Sequence, residues 1–395
     1  MSFNALLLLV FLQFGRPQEF FPFLNPYRLA LLFTVITLLL TFFNKEHFTL
    51  TDCFKIKESK LYLIFFFIMV LGIPFAYHRG NAFDFVLLKY LANVIFFFLF
   101  VVNVQSKERL KKVLFVVSIA VLFLATMSLM HGGVHGGRFF PGTMYDPNDL
   151  AYFLVSFLPI FFVFLRKYEP LVNKIMSTTG ILLSIAVVLL SGSRGGLLGL
   201  GVVLFFILFS KIVVERTAVK VFLSFSAVVI ISMHADQINV ERFQSITALS
   251  SDYNLTSESG RLAIWKRGFR LVISNPVTGV GVACFGKAIG EQRDAEGEIP
   301  RWQVAHNSFV QVAVETGLIG FVVFSALLFA SLKNFRRLSK HKRTEELLTE
   351  YANIPGICLV GLCGTMMGAF FLTQGYSLIF TFYFAVSAVL RNLFE

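Results

Sequence analysis

The chain has 395 residues, of which 56% are hydrophobic and only 15% charged, with a mean hydropathy of +0.74. A water-soluble domain carries roughly a quarter charged residues, so this balance excludes one and points to a polytopic membrane protein. The formal net charge of +12 raises the question of nucleic acid, but the distribution of the basic residues answers it otherwise.

Apolar runs near 3–14, 28–43, 61–77, 86–104, 113–130, 150–165, 175–191, 195–210, 218–234, 306–332, 353–372 and 375–390 predict about twelve membrane-spanning helices. The first run is too short to span alone. It lacks the basic segment and small-residue cleavage site of a signal peptide, so it reads as a retained helix. The 49 phenylalanines suit lipid-facing helix surface. The four cysteines show no metal-ligand spacing and argue against a disulfide framework.

Placing the N-terminus in the cytoplasm and alternating puts 21 of the 35 Lys and Arg residues in inner connections and six in short outer ones. The remaining eight lie in one long loop. This is the positive-inside pattern, and with it the net charge becomes a property of topology in an anionic leaflet. It requires no nucleic-acid partner. The expected organisation is nine helices in 1–234, an outer loop domain with short helices in 235–305, and three helices in 306–395, with both termini cytoplasmic. Three polar stretches then share the outer face: 131–150, 191–196 and 236–307.

In the first stretch, His131 and His135 flank Gly-Gly pairs and read as non-helical. Without a third ligand nearby, zinc is a weak reading. Asp146-Pro147-Asn148-Asp149 precedes the helix at Leu150, with Asn148 or Asp149 suited to the N-cap. Arg138 and Asn148 are candidates for a supporting role.

In the second, Ser191-Gly192-Ser193-Arg194-Gly195-Gly196 sets a lone arginine in a glycine-rich turn between two apolar helices. The glycines permit close approach of an anion to backbone and guanidinium. The alternative is a snorkelling arginine, with Gly195 and Gly199 serving helix packing.

The long loop opens acidic and Ser-rich, with an Asn254-Leu-Thr256 sequon of little weight by itself. A basic amphipathic helix follows, with Ser257 or Ser259 as N-cap and apolar positions at 262, 265, 269, 272 and 273. Its polar face carries Arg261, Lys266, Arg267 and Arg270, the pattern of a helix lying on a membrane surface. Arg261 differs because it sits in the first turn, where guanidinium and helix N-terminus could face one anion. Asn275-Pro276 to Gly279-Val-Gly281 reads as a helix stop with tight turns. The acidic stretch 291–298 reads as either a lid or a solvated loop.

His306 is expected on the first turn of the next spanning helix, beside Trp302, Asn307 and Ser308. Asn307, Gln311 and Glu315 recur every four residues and lay a polar stripe down that helix. Polar groups at such depth mark a site or an interhelical hydrogen bond, and for Glu315 both readings stand. His306 lies on a different face and is not paired with Glu315.

Two arginines, helix N-termini and a histidine at one membrane face, with no Walker loop or nucleophile motif, suit a substrate that carries its own leaving group. A lipid-linked diphosphate sugar fits: the arginines hold the diphosphate, and His306 takes the proton of an acceptor hydroxyl. A transporter of the same lipid would favour mid-membrane charges and an internal repeat, and the sequence shows no convincing repeat.

Arg16-Pro-Gln-Glu19, Asp146-Pro-Asn148, Ser-Gly-Ser-Arg194-Gly, Ser259-Gly-Arg261 with Trp265, Asn275-Pro with Gly279-Val-Gly281, and Ala305-His306-Asn307 follow in an order that resembles the O-antigen ligase / O-antigen polymerase superfamily over nearly the whole chain. The resemblance implies an all-α, GT-C-like polytopic glycosyltransferase of the bacterial inner membrane with a periplasmic site. Its donor would be an undecaprenyl-diphosphate-linked glycan, without nucleotide, cofactor or obligatory metal. In the ligase branch the acceptor is lipid A–core; other branches extend glycan chains or modify proteins. Carried over by motif, His306 matches the catalytic histidine and Arg194 and Arg261 the functional arginines, with Arg138, Asn148, Trp302, Asn307 and Glu315 as supporting candidates.

Overall fold

The computed structural model describes residues 1–43, 50–135, 138–141, 146–209, 260–340, 351 and 353–394. Among these the chain is mostly helical. Apolar helices are α1 (Ser2–Gly15), α2 (Leu29–Phe42), α3 (Lys57–Gly72), α4 (Leu91–Asn103) and α5 (Lys107–His131). A short hairpin of β1 (Gly133–His135) and β2 (Arg138–Phe140) leads to α6 (Pro147–Phe157), α7 (Leu171–Leu190) and α8 (Arg194–Phe209). Two amphipathic helices, α9 (Arg261–Ser274) and α10 (Phe285–Ala295), precede α11 (Ser308–Lys340), α12 (Ile354–Ala369) and α13 (Leu378–Phe394).

Seven helical segments among the described residues are long and apolar enough to cross a membrane, and four shorter helices, α1, α8, α12 and α13, are also apolar. The protein is thus a multi-pass membrane protein by length and composition. The expected span at 218–234 and the Ser257, Ser259 and Asn254 positions lie outside the described residues. The hairpin corrects the expectation of an all-α chain: Gly133 pairs with Phe140, Val134 with Phe139 and His135 with Arg138 in antiparallel register.

Phenylalanine fills the bundle's centre and not only its surface. Phe14, Phe96, Phe97, Phe100, Phe153 and Phe157 are fully buried. Phe14 meets Phe157 edge-on at 4.9 Å, and Phe157 meets Phe382 at 5.4 Å. Such edge-to-face pairs add directionality to contact area, which a membrane bundle needs because apolar burial alone does not favour helix–helix over helix–lipid contact. Small residues bring α8 onto its neighbours: a Cβ on Gly199 would lie 3.1 Å from Val155 Cγ1 and 3.4 Å from the Gly364 carbonyl.

At one end of the bundle, buried Glu58 accepts from Arg391 Nε (2.7 Å) and Nη2 (2.9 Å) and from Ser387 Oγ (3.0 Å). Asn334 Nδ2 in turn donates to the Ser387 carbonyl at 2.9 Å. These bonds tie α3, α11 and α13 together. The opposite end carries the hairpin, the α7–α8 turn, the α12–α13 connection and α9–α10.

Helix α11 is broken. Gly317 has φ 67°, and the chain is helical on either side of it. The break leaves carbonyls without helical partners, and the 275–285 segment supplies them. Val280 N–H donates to the Val314 carbonyl (2.9 Å), Gly281 N–H to that of Glu315 (3.1 Å), and Leu318 N–H to that of Pro276 (2.7 Å). Irregular backbone inside a span is tolerated only where protein satisfies it this way. No side chain from 308 to 317 is exposed, whereas Leu318, Ile319, Val322 and Phe329 all face outward.

Gly279 has φ 67°, and a Cβ there would lie 2.5 Å from the Glu315 carbonyl carbon and the Gly317 nitrogen. Gly279→Ala is therefore expected to destabilise the protein by more than about 1 kcal/mol. Gly201→Ala, at a position with nothing within 4 Å, serves as the control. Thermal unfolding in detergent checks this; equal midpoints would mean that the loop does not hold the kink.

Candidate active site

His306 precedes α11 instead of lying on its first turn. The helix is capped by Asn307, whose Oδ1 accepts from the N–H groups of Phe309 (2.9 Å) and Val310 (3.1 Å). A side-chain oxygen at that position satisfies otherwise orphaned donors, so the helix begins after His306. His306 itself has φ 47°, a left-handed conformation uncommon for any residue other than glycine and held where its surroundings enforce it. Its N–H donates to Thr373 Oγ1 at 2.9 Å, and Trp265 Nε1 donates to the Ala305 carbonyl at 2.9 Å. Three contacts on consecutive residues thus fix the backbone under the imidazole. Trp302, a supporting candidate, is 71% exposed and lies against α10, its Nε1 3.1 Å from where a Gly290 Cβ would stand.

Helix α9 is capped at Gly260, without a side-chain hydrogen bond, in place of a serine. Its buried face also differs from the expected one. Ile264, Arg267, Gly268, Leu271 and Val272 turn inward, while Phe269 (58% exposed) and Ile273 (78%) turn outward. Gly268 is the reason: a Cβ there would lie 3.0 Å from Val310 Cγ1, so this face can approach the first half of α11 closely. The resulting small core comprises Ile264, Leu271, Phe285, Ile289, Val310 and Val314, among others.

Arg267 is carried inward with that face and is paired there. Its Nη1 and Nη2 each lie 2.6 Å from Glu296 and Glu298 respectively. Arg270 reaches Glu296 at 2.9 Å and Arg293 reaches Glu298 at 3.0 Å. The hydrogen bond from Arg267 holds the Glu296 carboxyl below its ordinary range. The stretch 291–298 is therefore neither lid nor free loop. It is the end of α10 and an ion-pair clamp onto α9.

Arg194 is the first residue of α8. Ser193 Oγ accepts from Gly196 N–H (3.1 Å) and Ser191 Oγ from Ser193 N–H (3.2 Å), so the two serines build the turn. Arg138 braces it from the hairpin: Nε donates to the Ser191 carbonyl (3.0 Å) and Nη2 to Asn148 Oδ1 (2.9 Å). The α6 cap is Asp146, not Asn148 or Asp149. Its Oδ1 accepts from the N–H groups of both, at 2.7 and 2.8 Å. With Pro147 at the first helical position, Asp146 is the residue placed to receive them. His131 is the last residue of α5, with Nδ1 3.1 Å from the Met127 carbonyl oxygen, and His135 lies on β1.

The α12–α13 connection, 370–377, escaped the sequence reading, yet it touches all three parts of the candidate site. Phe371 lies under Arg261, with Cζ 6.0 Å from the ring centroid, and Phe371 Cβ would be 3.0 Å from a Cβ on Gly195, next to Arg194. Thr373 holds His306. Gln374 Nε2 donates to Asp149 Oδ1 (2.8 Å), and its N–H donates to Ser308 Oγ (2.9 Å). Phe370 packs edge-on to Trp265 at 5.6 Å.

The polar stripe on α11 serves these same connections. Gln311 Oε1 accepts from Gly375 N–H (3.1 Å), and Glu315 Oε1 accepts from Phe285 N–H at the start of α10 (3.1 Å). Glu315 is thus an internal cap for a neighbouring helix, the interhelical reading of that residue. At His306, burial pushes the imidazole pKa below its ordinary value. The nearby Arg261 charge pushes it further in the same direction, and Asp146 opposes both.

The geometry defines a multi-pass membrane protein with two arginines and a histidine gathered at one end of its helical bundle. Residues 179–325 match the O-antigen ligase family, a stretch that contains Arg194, Arg261 and His306. Members of that family are glycosyltransferase-like ligases and polymerases. An uncharacterized protein of Haemophilus influenzae is 23% identical over 253 residues, which cover 60% of this chain and 60% of that protein's length.

Proposed function

We propose that the protein is a glycosyltransferase of the inner membrane that moves an O-antigen or related glycan from undecaprenyl diphosphate to lipid A–core on the periplasmic side. The observation that carries this reading is the meeting of the Arg194 turn, Arg261 and His306 around one connection. In the reaction, His306 accepts the proton of the acceptor hydroxyl as its oxygen attacks the anomeric carbon. The bond from that carbon to the diphosphate oxygen breaks, and undecaprenyl diphosphate departs with the electron pair. Arg194 and Arg261 stabilise the charge gathering on the diphosphate. A single displacement of this kind inverts the anomeric centre.

Purified protein in detergent, given one undecaprenyl-diphosphate-linked glycan together with lipid A–core, a second lipid-linked glycan or a protein acceptor, tests the reading. Extension of lipid A–core alone is expected. Extension of the glycan or the protein instead would make the protein a chain polymerase or a protein glycosyltransferase of the same superfamily. The absence of any product would favour a lipid-linked oligosaccharide transporter.

A further inference from the structure

We infer that Thr373 is a positioning residue for His306, acting through the α12–α13 connection that also contacts Arg261 and the Arg194 turn. The inference rests on the reading of His306 as the base. A histidine at φ 47° carries its Cβ in a different direction from that of a residue in right-handed helical conformation. Relaxation to a right-handed conformation would re-aim the imidazole. The one side-chain acceptor holding the His306 N–H in that geometry is the Thr373 hydroxyl, at 2.9 Å.

Thr373 is itself held rigidly. Ser308 Oγ donates to the Leu372 carbonyl (2.8 Å) and accepts from Gln374 N–H (2.9 Å), so the residues on both sides are bound to the first residue of α11. Gly375 N–H is bound to Gln311 (3.1 Å), and Asn93 Nδ2 donates to the Tyr376 carbonyl (3.1 Å). A hydroxyl so framed can impose a backbone geometry rather than follow one. The connection therefore sets the distance between base and arginines: Phe371, two residues earlier, fixes where Arg261 and Gly195 stand. Misplacing a catalytic group by about 1 Å can cost on the order of 100-fold in rate.

The test compares Thr373→Val, which keeps the shape and removes the hydroxyl, with Thr373→Ser, which keeps the hydroxyl. Expected are a fall of about 10- to 100-fold in kcat for the valine variant, an unchanged KM for the lipid-linked donor, and restoration by serine. In parallel, acylation of His306 by diethyl pyrocarbonate, followed by mass spectrometry across pH, reads the imidazole without reference to turnover. Its midpoint should rise in Thr373→Val as the ring gains water and leaves Arg261, and should return in Thr373→Ser. Should the valine variant not be recovered folded, Thr373→Ala removes the same hydroxyl without added bulk. Wild-type kcat and an unmoved midpoint in the hydroxyl-free variant, with His306→Ala inactive, would overturn the positioning role alone. Transfer by His306→Ala would instead remove the base on which the inference rests.

Discussion

Replacing His306 with alanine is expected to lower glycan transfer by about 100- to 10,000-fold, the usual contribution of a positioned general base. The protein should still fold, because the backbone there is held by Trp265, Thr373 and Asn307 and not by the imidazole. The pH profile adds a signed test. Burial first, and Arg261 second, hold the imidazole below its ordinary pKa of 6.5, so it is neutral and able to accept a proton at pH 7. The acid limb of kcat/KM therefore lies below the ordinary histidine range. Arg261→Ala removes one lowering influence and moves the residual activity's limb upward. Asp146→Asn removes the raising influence and moves it downward. Limbs that stay fixed in both variants, or near-normal product from His306→Ala, would falsify the assignment of this histidine as base.

The second large effect concerns the arginines. Arg194→Ala and Arg261→Ala are each expected to cut transfer by about 100- to 1,000-fold, as loss of one preorganised donor to a developing anion does. Lysine should restore little, because it offers a point charge in place of a planar fork matched to phosphate oxygens. The same variants should leave stability nearly untouched. Each arginine is the first residue of its helix, where a positive charge opposes the helix dipole by about 0.3–1 kcal/mol. Transfer assays and thermal unfolding on the same preparations separate the two effects. Loss of activity in step with loss of melting temperature would make the arginines structural.

Much of this was legible from the residues. Runs of apolar sequence announced the eleven apolar helices found among the described residues, because a bilayer demands that length and polarity whatever the packing. The Ser193-Arg194-Gly195-Gly196 turn and the position of Arg261 at a helix start were equally readable. The turn of α9 was not. Periodicity marked residues 262, 265, 269, 272 and 273, but a glycine at 268 and acids some thirty residues further on, at Glu296 and Glu298, rotated Arg267 inward. Nor could the sequence disclose 370–377, whose Phe-Phe-Leu-Thr-Gln-Gly-Tyr-Ser carries no charge and no spacing of note. Its importance lies in contacts to residues sixty and more positions away. The left-handed His306 was hidden for a related reason: its geometry is imposed from Thr373, on another element.

The break at Gly317 also sets a height. From Ser308 to Leu318, where outward apolar side chains begin, the chain climbs roughly 15 Å along the helix at about 1.5 Å per residue. That stretch works as a fixed stilt, sheathed by α9, α10 and the 275–285 segment. Changes in bilayer thickness can tilt or submerge the lower part of the bundle, but they cannot alter the stilt's length. The separation along the chain between His306 and the first outward-facing apolar side chains is thus written into the polypeptide and not set by the lipid.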